Sequence, residues 1–238
     1  MPDALVIVDE RELDAYKAVV PEGQLFTHPG MPTVPTLTAI RNYVFDDLAS
    51  FGADVLVWAD DDVYALLAMP GWSKRRHDEP ETVRQVLENA AQCAIDAGCK
   101  MFGFNPSPNG LHFKPQQPIT LHSWVGSVLG FVGDHGLRYD ARLAMHEDTD
   151  VCLASLMRDR IIWRDDRWSF TNYRMTNAGG LASYRSEKRE LEEQRILHEK
   201  WGRYVGFKSR SGEQNRLGKD AATVSTQIRV PRRQALSV

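Results

Sequence analysis

The feature that most constrains the fold is an apolar run that ends in three consecutive carboxylates. Residues Val55–Trp58 have the length and composition of a buried strand, and Asp60, Asp61 and Asp62 follow where that strand should end. Adjacent negative charges repel one another, and hard cations such as Mg²⁺ or Mn²⁺ prefer oxygen ligands and bridge substrate phosphates. The triplet therefore indicates either a solvated acidic turn or a metal and phosphate site. Its position at the carboxyl edge of a core strand favours the metal.

Strand and helix patterns alternate around this run, which predicts an α/β protein. The order β-α-β-α-β in the first 60 residues is typical of a Rossmann-like, doubly wound sheet that is mostly parallel and flanked by helices. Predicted strands are Ala4–Val8, Gln24–Thr27, Val55–Trp58, Lys100–Phe104, Ile161–Trp163 and a strand pair within Ile119–Val132. Predicted helices are Asp9–Val20, Leu37–Phe51 with Thr36 as the N-cap, Glu81–Gly98, Asp148–Met157 and Ser186–Tyr204.

Composition and cysteine usage are those of a soluble intracellular protein. Apolar residues make up 42% and charged residues 26% of the 238 residues, as in globular domains. The three cysteines have no metal-binding spacing, and a sparse, odd set suits a reducing compartment. The sequence lacks a signal segment and a long apolar run, so we expect a cytoplasmic location.

Charge is distributed unevenly along the chain. Residues 184–238 carry thirteen Lys or Arg and seven Asp or Glu, a balance of +6, whereas the remainder carries sixteen and twenty-five, a balance of −9. A basic segment on an acidic body indicates either a polyanionic partner or a solvated helix face with a frayed tail. With no internal repeat or clear linker, the simplest division is one domain over residues 1–205 and a basic C-terminal extension over residues 206–238.

A second acidic cluster opens a predicted helix about ninety residues after the first. It contains Glu147, Asp148 and Asp150. Acidic side chains are common in the first helical turn because they complement the helix dipole. Carboxylates can also act as general bases, provided that they lie within hydrogen-bond reach of the proton they remove. Two acidic clusters therefore have the parts for two roles, a metal site and a base.

Other candidate ligand-binding residues lie in a helix and in a glycine pair. Arg41 and Asn42 belong to the helix before the acidic strand, and an arginine there is either a surface residue or a bidentate phosphate ligand. Gly179 and Gly180 allow a turn or a close approach of backbone to ligand. Motifs of the dehydrogenase, P-loop and α/β-hydrolase classes are absent, which argues against those activities. Two weaker candidate ligands are His112 and His122.

Taken in order along the chain, these motifs resemble a GT-A glycosyltransferase. The βαβαβ unit that ends in Asp60-Asp61-Asp62 is similar to the nucleotide-sugar half of that fold with its DxD motif. More narrowly, the chain resembles the TET-associated glycosyltransferases of bacteriophages over about residues 4–210. Three segments carry this narrower likeness, namely Glu147-Asp148-Thr149-Asp150, Gly179-Gly180 with Tyr184-Arg185, and Lys200-Trp201-Gly202.

The resemblance implies a metal-dependent transfer from a UDP-sugar. The donor base would lie against Val8 and Glu10, and Arg41, Asn42, Gly179 and Gly180 would complete the donor site. Asp60, Asp61 and Asp62 would hold Mn²⁺ or Mg²⁺ against the diphosphate. If the reaction inverts, Asp148 would take the acceptor proton, with Glu147 as the alternative, and Asp150 would position that carboxylate or the sugar; a retaining reaction requires no such base.

The acceptor implied by the resemblance is the hydroxymethyl group of 5-hydroxymethylcytosine in DNA. Lys74, Arg75 and Arg76 and the basic stretch Lys208–Arg233 are then the expected phosphate contacts, which position DNA without reading its sequence. A phage-encoded enzyme would act in the host cytoplasm. Two alternatives are a glycosyltransferase with a protein or polysaccharide acceptor, and a non-catalytic nucleic-acid-binding protein with a glycosyltransferase-like fold.

Overall fold

The computed structural model describes residues 4–30, 33, 36–69, 75–77, 79–110, 113–172, 186–209 and 224–228. These residues form a mixed α/β structure with four sheets and five α-helices. The strands are β1 (Val6–Asp9), β2 (Leu25–His28), β3 (Val55–Ala59), β4 (Val63–Ala68), β5 (Arg75–His77), β6 (Met101–Phe104), β7 (Ile119–Thr120), β8 (Val128–Val132), β9 (Trp163–Asp165), β10 (Trp168–Asn172), β11 (Val205–Ser209) and β12 (Val224–Ile228). The helices are α1 (Leu13–Lys17), α2 (Leu37–Phe51), α3 (Pro80–Asp96), α4 (Glu147–Arg158) and α5 (Glu187–Trp201).

The largest sheet has five strands in the order β3-β8-β6-β9-β7. Only its β6–β9 pair is parallel; β3–β8, β6–β8 and β7–β9 are antiparallel. The three-stranded sheet β10-β4-β5 and the β11–β12 pair are antiparallel, whereas β1 and β2 form a separate parallel pair. The expectation of a mostly parallel sheet is therefore wrong for the described strands. An apolar run indicates that a strand packs against the core, but it does not indicate whether the neighbouring strands run parallel or antiparallel to it.

Local signals in the sequence predict several elements correctly. Thr36 caps α2 by accepting a hydrogen bond from the Ala39 amide at 3.2 Å, and Gly52 follows the helix at φ +58°. The strand pair expected within Ile119–Val132 forms as β7 and β8, but these strands do not pair with each other. The predicted boundary at 205/206 falls inside β11 and stays a prediction. Within the described residues, no helix has both the length and the apolarity needed to cross a membrane.

The core lies on both faces of the five-stranded sheet. On one face, Phe45 of α2 and Val151 of α4 pack against strand residues such as Met101. On the other face, Ala90 of α3 packs with Phe102 and its neighbours. Met101 and Phe102 are consecutive and point to opposite faces, as strand geometry requires. The sheet therefore fixes α2 and α4 on the same side, where their polar ends meet.

Gly130 in β8 gives a test of this core. A Cβ at Gly130 would overlap the ring of Phe102, which is fully buried. We expect Gly130→Ala to lower the free energy of unfolding by about 1–3 kcal/mol, because overpacking forces the ring off its rotamer. Urea denaturation followed by circular dichroism measures the change. Gly23→Ala, where a Cβ meets nothing within 4 Å, is the matched control, and equal stability of the two variants would contradict the packing described here.

Candidate active site

A buried arginine joins the two acidic clusters. Arg41 of α2 is only 2% exposed. Its Nη2 donates to Oδ1 of Asp60 at 2.8 Å, and its Nη1 donates to Oε1 of Glu147 at 3.2 Å. Asp60 directly follows β3 and Glu147 is the first residue of α4, so one guanidinium gathers three elements that are distant in sequence. All three residues are candidates from the sequence, but their contact with one another is not predictable from it.

Two aromatic rings flank the same guanidinium. Its Cζ lies 5.3 Å from the ring centroid of Trp58 and 5.1 Å from that of Tyr139, which is within the range of cation–π attraction. Neither ring was predicted to belong to the site. Trp58 lies two residues before Asp60 and was predicted to be a core residue, and Tyr139 lies in an irregular loop that gives no periodic signal. Both rings help to confine the arginine to the position from which it reaches the carboxylates.

Negative charge exceeds positive charge around Arg41. Burial raises the pKa of Asp60 to about 6, although Arg41 opposes the shift; Asp148, Asp62 and Asp61 add to it. Burial also raises the pKa of Glu147 well above its usual range, with Asp148 adding to the effect and Arg41 opposing it. One guanidinium does not offset this many carboxylates. The cluster therefore favours binding of a further cation or a proton.

The acidic triplet forms the turn between β3 and β4. The carbonyl of Asp60 accepts from the Val63 amide at 3.2 Å, which closes the turn. Oδ1 of Asp62 accepts from the Asn172 side-chain amide at 2.5 Å, and Asp61 is exposed. The described part of the chain holds no group of three or more His, Cys, Asp or Glu side chains placed to bind a metal. Asp60 and Asp62 are paired with Arg41 and Asn172, and the triplet by itself does not form a complete protein cage for a metal ion.

Asp148 is the more accessible carboxylate of the α4 start. It is half-buried, whereas Glu147 and Asp150 are buried. Its Oδ1 accepts from the Thr149 amide at 2.6 Å, and a Cβ placed on Gly126 would lie 3.1 Å from its Oδ2. Asp148 therefore lies beside the loop that precedes β8. The carbonyl of Ser127 in that loop accepts from the Asp60 amide at 3.1 Å, so this loop links both acidic clusters.

Two predicted site residues have structural partners instead. Asp150 is fully buried and accepts from Lys200 Nζ at 2.8 Å and from Trp201 Nε1 at 2.7 Å, at the end of α5. The Asn42 side chain donates to the Tyr139 carbonyl and accepts from the Tyr139 amide, both at 2.9 Å. Asp150 therefore joins two helices, and Asn42 positions the loop that carries Tyr139.

The remaining candidates belong to other elements or lie outside the described residues. Val8 is buried in β1, and Glu10 is exposed just after it. Arg76 is exposed on β5, with its Cζ 5.9 Å from the ring centroid of Tyr64; His122 is exposed as well. Lys74, His112, Gly179, Gly180, Tyr184 and Arg185, the side chain of Arg75, and most of Lys208–Arg233 lie outside the described residues.

Comparison with known proteins gives one match. The family model described as TET-Associated Glycosyltransferase matches residues 2–180, which include Arg41, the acidic triplet and the start of α4 but not α5. No match was found among the curated proteins or among the solved structures.

Proposed function

Because the chain belongs to the TET-associated glycosyltransferase family, we propose that it transfers a sugar from a UDP-sugar to the hydroxymethyl group of 5-hydroxymethylcytosine in DNA. The observation that carries this proposal is the contact of buried Arg41 with both Asp60 and Glu147. It brings a candidate donor site and a candidate base together on one side of the sheet.

The donor site is built around the acidic turn. Asp60 and Asp62, with Asp61 beside them, would hold Mn²⁺ or Mg²⁺ together with the diphosphate. A cation bound there offsets the negative charge that the leaving UDP gains. The excess of carboxylates around Arg41 supports this assignment. Arg41 keeps the Asp60 carboxylate oriented and supplies fixed positive charge at the same place.

Asp148 is the base in this proposal. In an inverting reaction, a bond forms between the sugar C1 and the acceptor oxygen while the bond from C1 to the diphosphate oxygen breaks. The electron pair of the broken bond leaves with UDP, and the acceptor proton passes to the base. Glu147 is bound to Arg41 and is 7% exposed, so it is poorly placed to meet an acceptor hydroxyl. Asp148 is adjacent and accessible, which geometry requires of a base.

The acceptor site is proposed to use the basic edge of the three-stranded sheet. Exposed Arg76 of β5, with Lys74 and Arg75 before it and the basic residues after Lys208, would contact DNA phosphates. The 5-position of cytosine faces the major groove of a duplex, so the target is reached there or after the base is flipped out.

Incubation with a panel of UDP-sugars, Mn²⁺ or Mg²⁺ and 5-hydroxymethylcytosine DNA tests the proposed function. Nucleoside mass analysis should show, on the modified base, a mass increase that matches the sugar of the active donor, and none on unmodified cytosine. UDP release without a DNA product would indicate another acceptor, such as a protein or polysaccharide. No UDP release with any donor would contradict the enzyme and favour a binding protein.

Salt dependence tests the DNA contacts separately. About three phosphate contacts would weaken DNA binding roughly 40-fold between about 50 and 200 mM salt, because each contact releases counterions. Fluorescence anisotropy with labelled DNA measures the slope, and Arg76→Gln should reduce it by about one contact. Arg84→Gln, on α3, is the control and should leave the slope unchanged. A flat salt response would contradict a DNA acceptor while leaving glycosyl transfer intact.

A further inference from the structure

The segment that leads into α4 is held by a carboxylate from α5. Oε1 of Glu193 accepts from the Ala144 amide at 3.0 Å, and its Oε2 accepts from the Met145 and His146 amides at 2.9 and 3.2 Å. Glu193 is only 4% exposed. His146, at the N-cap of α4, supplies no side-chain cap of its own. Glu193 therefore satisfies backbone donors that would otherwise be left unpaired at this buried helix start.

Two more contacts tie the same helices together. Oε1 of Glu190 lies 2.9 Å from Nε2 of His146, the residue just before Glu147. One turn along α4, Asp150 is bound by Lys200 and Trp201 from the end of α5. The start of α4 is thus fixed from three points along α5. Every one of these α5 residues lies beyond residue 180, where the family match ends.

We propose that Glu193 and Glu190 are positioning residues, which set the place of the Asp148 carboxylate relative to the donor site. This inference rests on the proposed function. Both glutamates contact the segment that leads into Asp148, so they act on the base side of the site. Glu193 and Glu190 bind backbone amides and one imidazole and so set where the first turn of α4 sits, whereas Lys200 and Trp201 hold the Asp150 side chain.

The proposal predicts a selective kinetic defect. In Glu193→Gln, one carboxylate oxygen becomes an amide N–H that faces backbone N–H donors, so at least one of the three hydrogen bonds is lost. The first turn of α4 then shifts while the β3–β4 turn stays in place. We expect kcat to fall about tenfold, since misplacement of a reacting group slows the chemical step. The KM for the UDP-sugar and the Kd for UDP should stay within about twofold of wild type.

Glu192→Gln is the matched control, because it removes the same charge from an exposed position on the same helix. It should leave kcat, KM and thermal stability unchanged. Glu190→Gln is a milder variant and is assayed alongside Glu193→Gln. If Glu193→Gln does not fold, the kcat and KM of Glu190→Gln test the proposal. It keeps an oxygen that accepts from His146, and we expect a two- to fivefold fall in kcat at unchanged KM.

Hydrogen exchange of the Ala144, Met145 and His146 amides is a readout that does not depend on activity. Faster exchange at these amides in Glu193→Gln, together with the selective fall in kcat, would support the proposal. Wild-type kcat, or kcat and UDP affinity falling together, would overturn it. If wild type transfers no sugar, the proposed function fails, whereas unchanged exchange at these amides shows separately that Glu193 does not hold the helix start.

Discussion

Replacing Arg41 by methionine is expected to lower the free energy of unfolding by about 3–5 kcal/mol and to abolish transfer. Methionine fills much of the same volume but removes the charge that pairs with Glu147 and Asp60. Both carboxylates lose their counter-charge; that of Glu147 is buried, whereas a third of the Asp60 side chain reaches solvent. Urea denaturation at pH 7.5 measures the loss.

The pH dependence of this loss identifies its cause. Burial raises the pKa of Asp60 to about 6 and that of Glu147 still higher, and removing Arg41 raises both further, because Arg41 opposes each shift. A carboxylate that has taken up a proton no longer needs a counter-charge. The stability difference between wild type and Arg41→Met should therefore shrink as the pH falls from about 9 to about 6, below which both groups are protonated in both proteins. A difference that stays constant with pH would point to lost packing instead of lost charge.

Arg138→Met is the control for the arginine substitution. Arg138 pairs with exposed Asp46 at 2.7 Å, and half of its own side chain is in solvent. Removing it should cost less than about 1 kcal/mol, as for other surface ion pairs. The stability loss of Arg41→Lys should lie between those of Arg41→Met and Arg138→Met, because a single ammonium keeps the charge but lacks the planar guanidinium that reaches two carboxylates. Equal losses for Arg41→Met and Arg138→Met would contradict the central role of Arg41.

Asp148→Asn is expected to slow sugar transfer by about 10²–10⁴-fold, the usual contribution of a general base. The amide is nearly isosteric and still accepts from Thr149, so the fold and the Kd for UDP should change little. Single-turnover assays with radiolabelled UDP-sugar separate transfer from product release. Together with calorimetric titration of UDP, they distinguish a lost base from a lost donor site.

The comparison variants are Asp96→Asn and Glu147→Gln. Asp96 is an exposed residue at the end of α3, away from the acidic clusters, and its substitution should leave transfer unchanged. If Glu147 is the base, Glu147→Gln loses transfer and Asp148→Asn keeps it, which would reverse the assignment. Transfer within threefold of wild type in both variants would indicate a mechanism without a side-chain base, as in a retaining enzyme.

The sequence predicted those parts of the fold that depend on local chemistry. The Thr36 cap, the apolar stripe of α2 and the left-handed Gly52 all lie within 17 consecutive residues, so α2 is predictable from its own segment. The direction of β8 beside β3 depends on how residues 105–127 return the chain to the sheet. No short pattern encodes that return, which is why the expected parallel sheet was wrong.

In the candidate site, too, some residues could be predicted from the local sequence and others could not. The acidic residues of both clusters stand out because each cluster has three carboxylates within four consecutive residues. Their partners do not stand out: Asn42 pairs with a backbone 97 positions away, and Asp150 pairs with Lys200 and Trp201. Which polar group a buried carboxylate or amide meets is decided by tertiary packing. The sequence therefore singles out Arg41 and the carboxylates but not the partners of Asn42 and Asp150, whose roles in the site stay predictions.

The acidic turn joins two different sheets, so its geometry depends on the position of one sheet relative to the other. Asp60 follows β3 of the five-stranded sheet, while Asp62 is bound to Asn172 on β10 of the three-stranded sheet. The gap between the two carboxylates therefore widens or narrows with any sliding of one sheet over the other. An ion bound to both carboxylates would stabilise one relative position of the two sheets, because ion binding and the stability of that position are thermodynamically linked. Tighter cation binding would then go together with a more rigid arrangement of the two sheets.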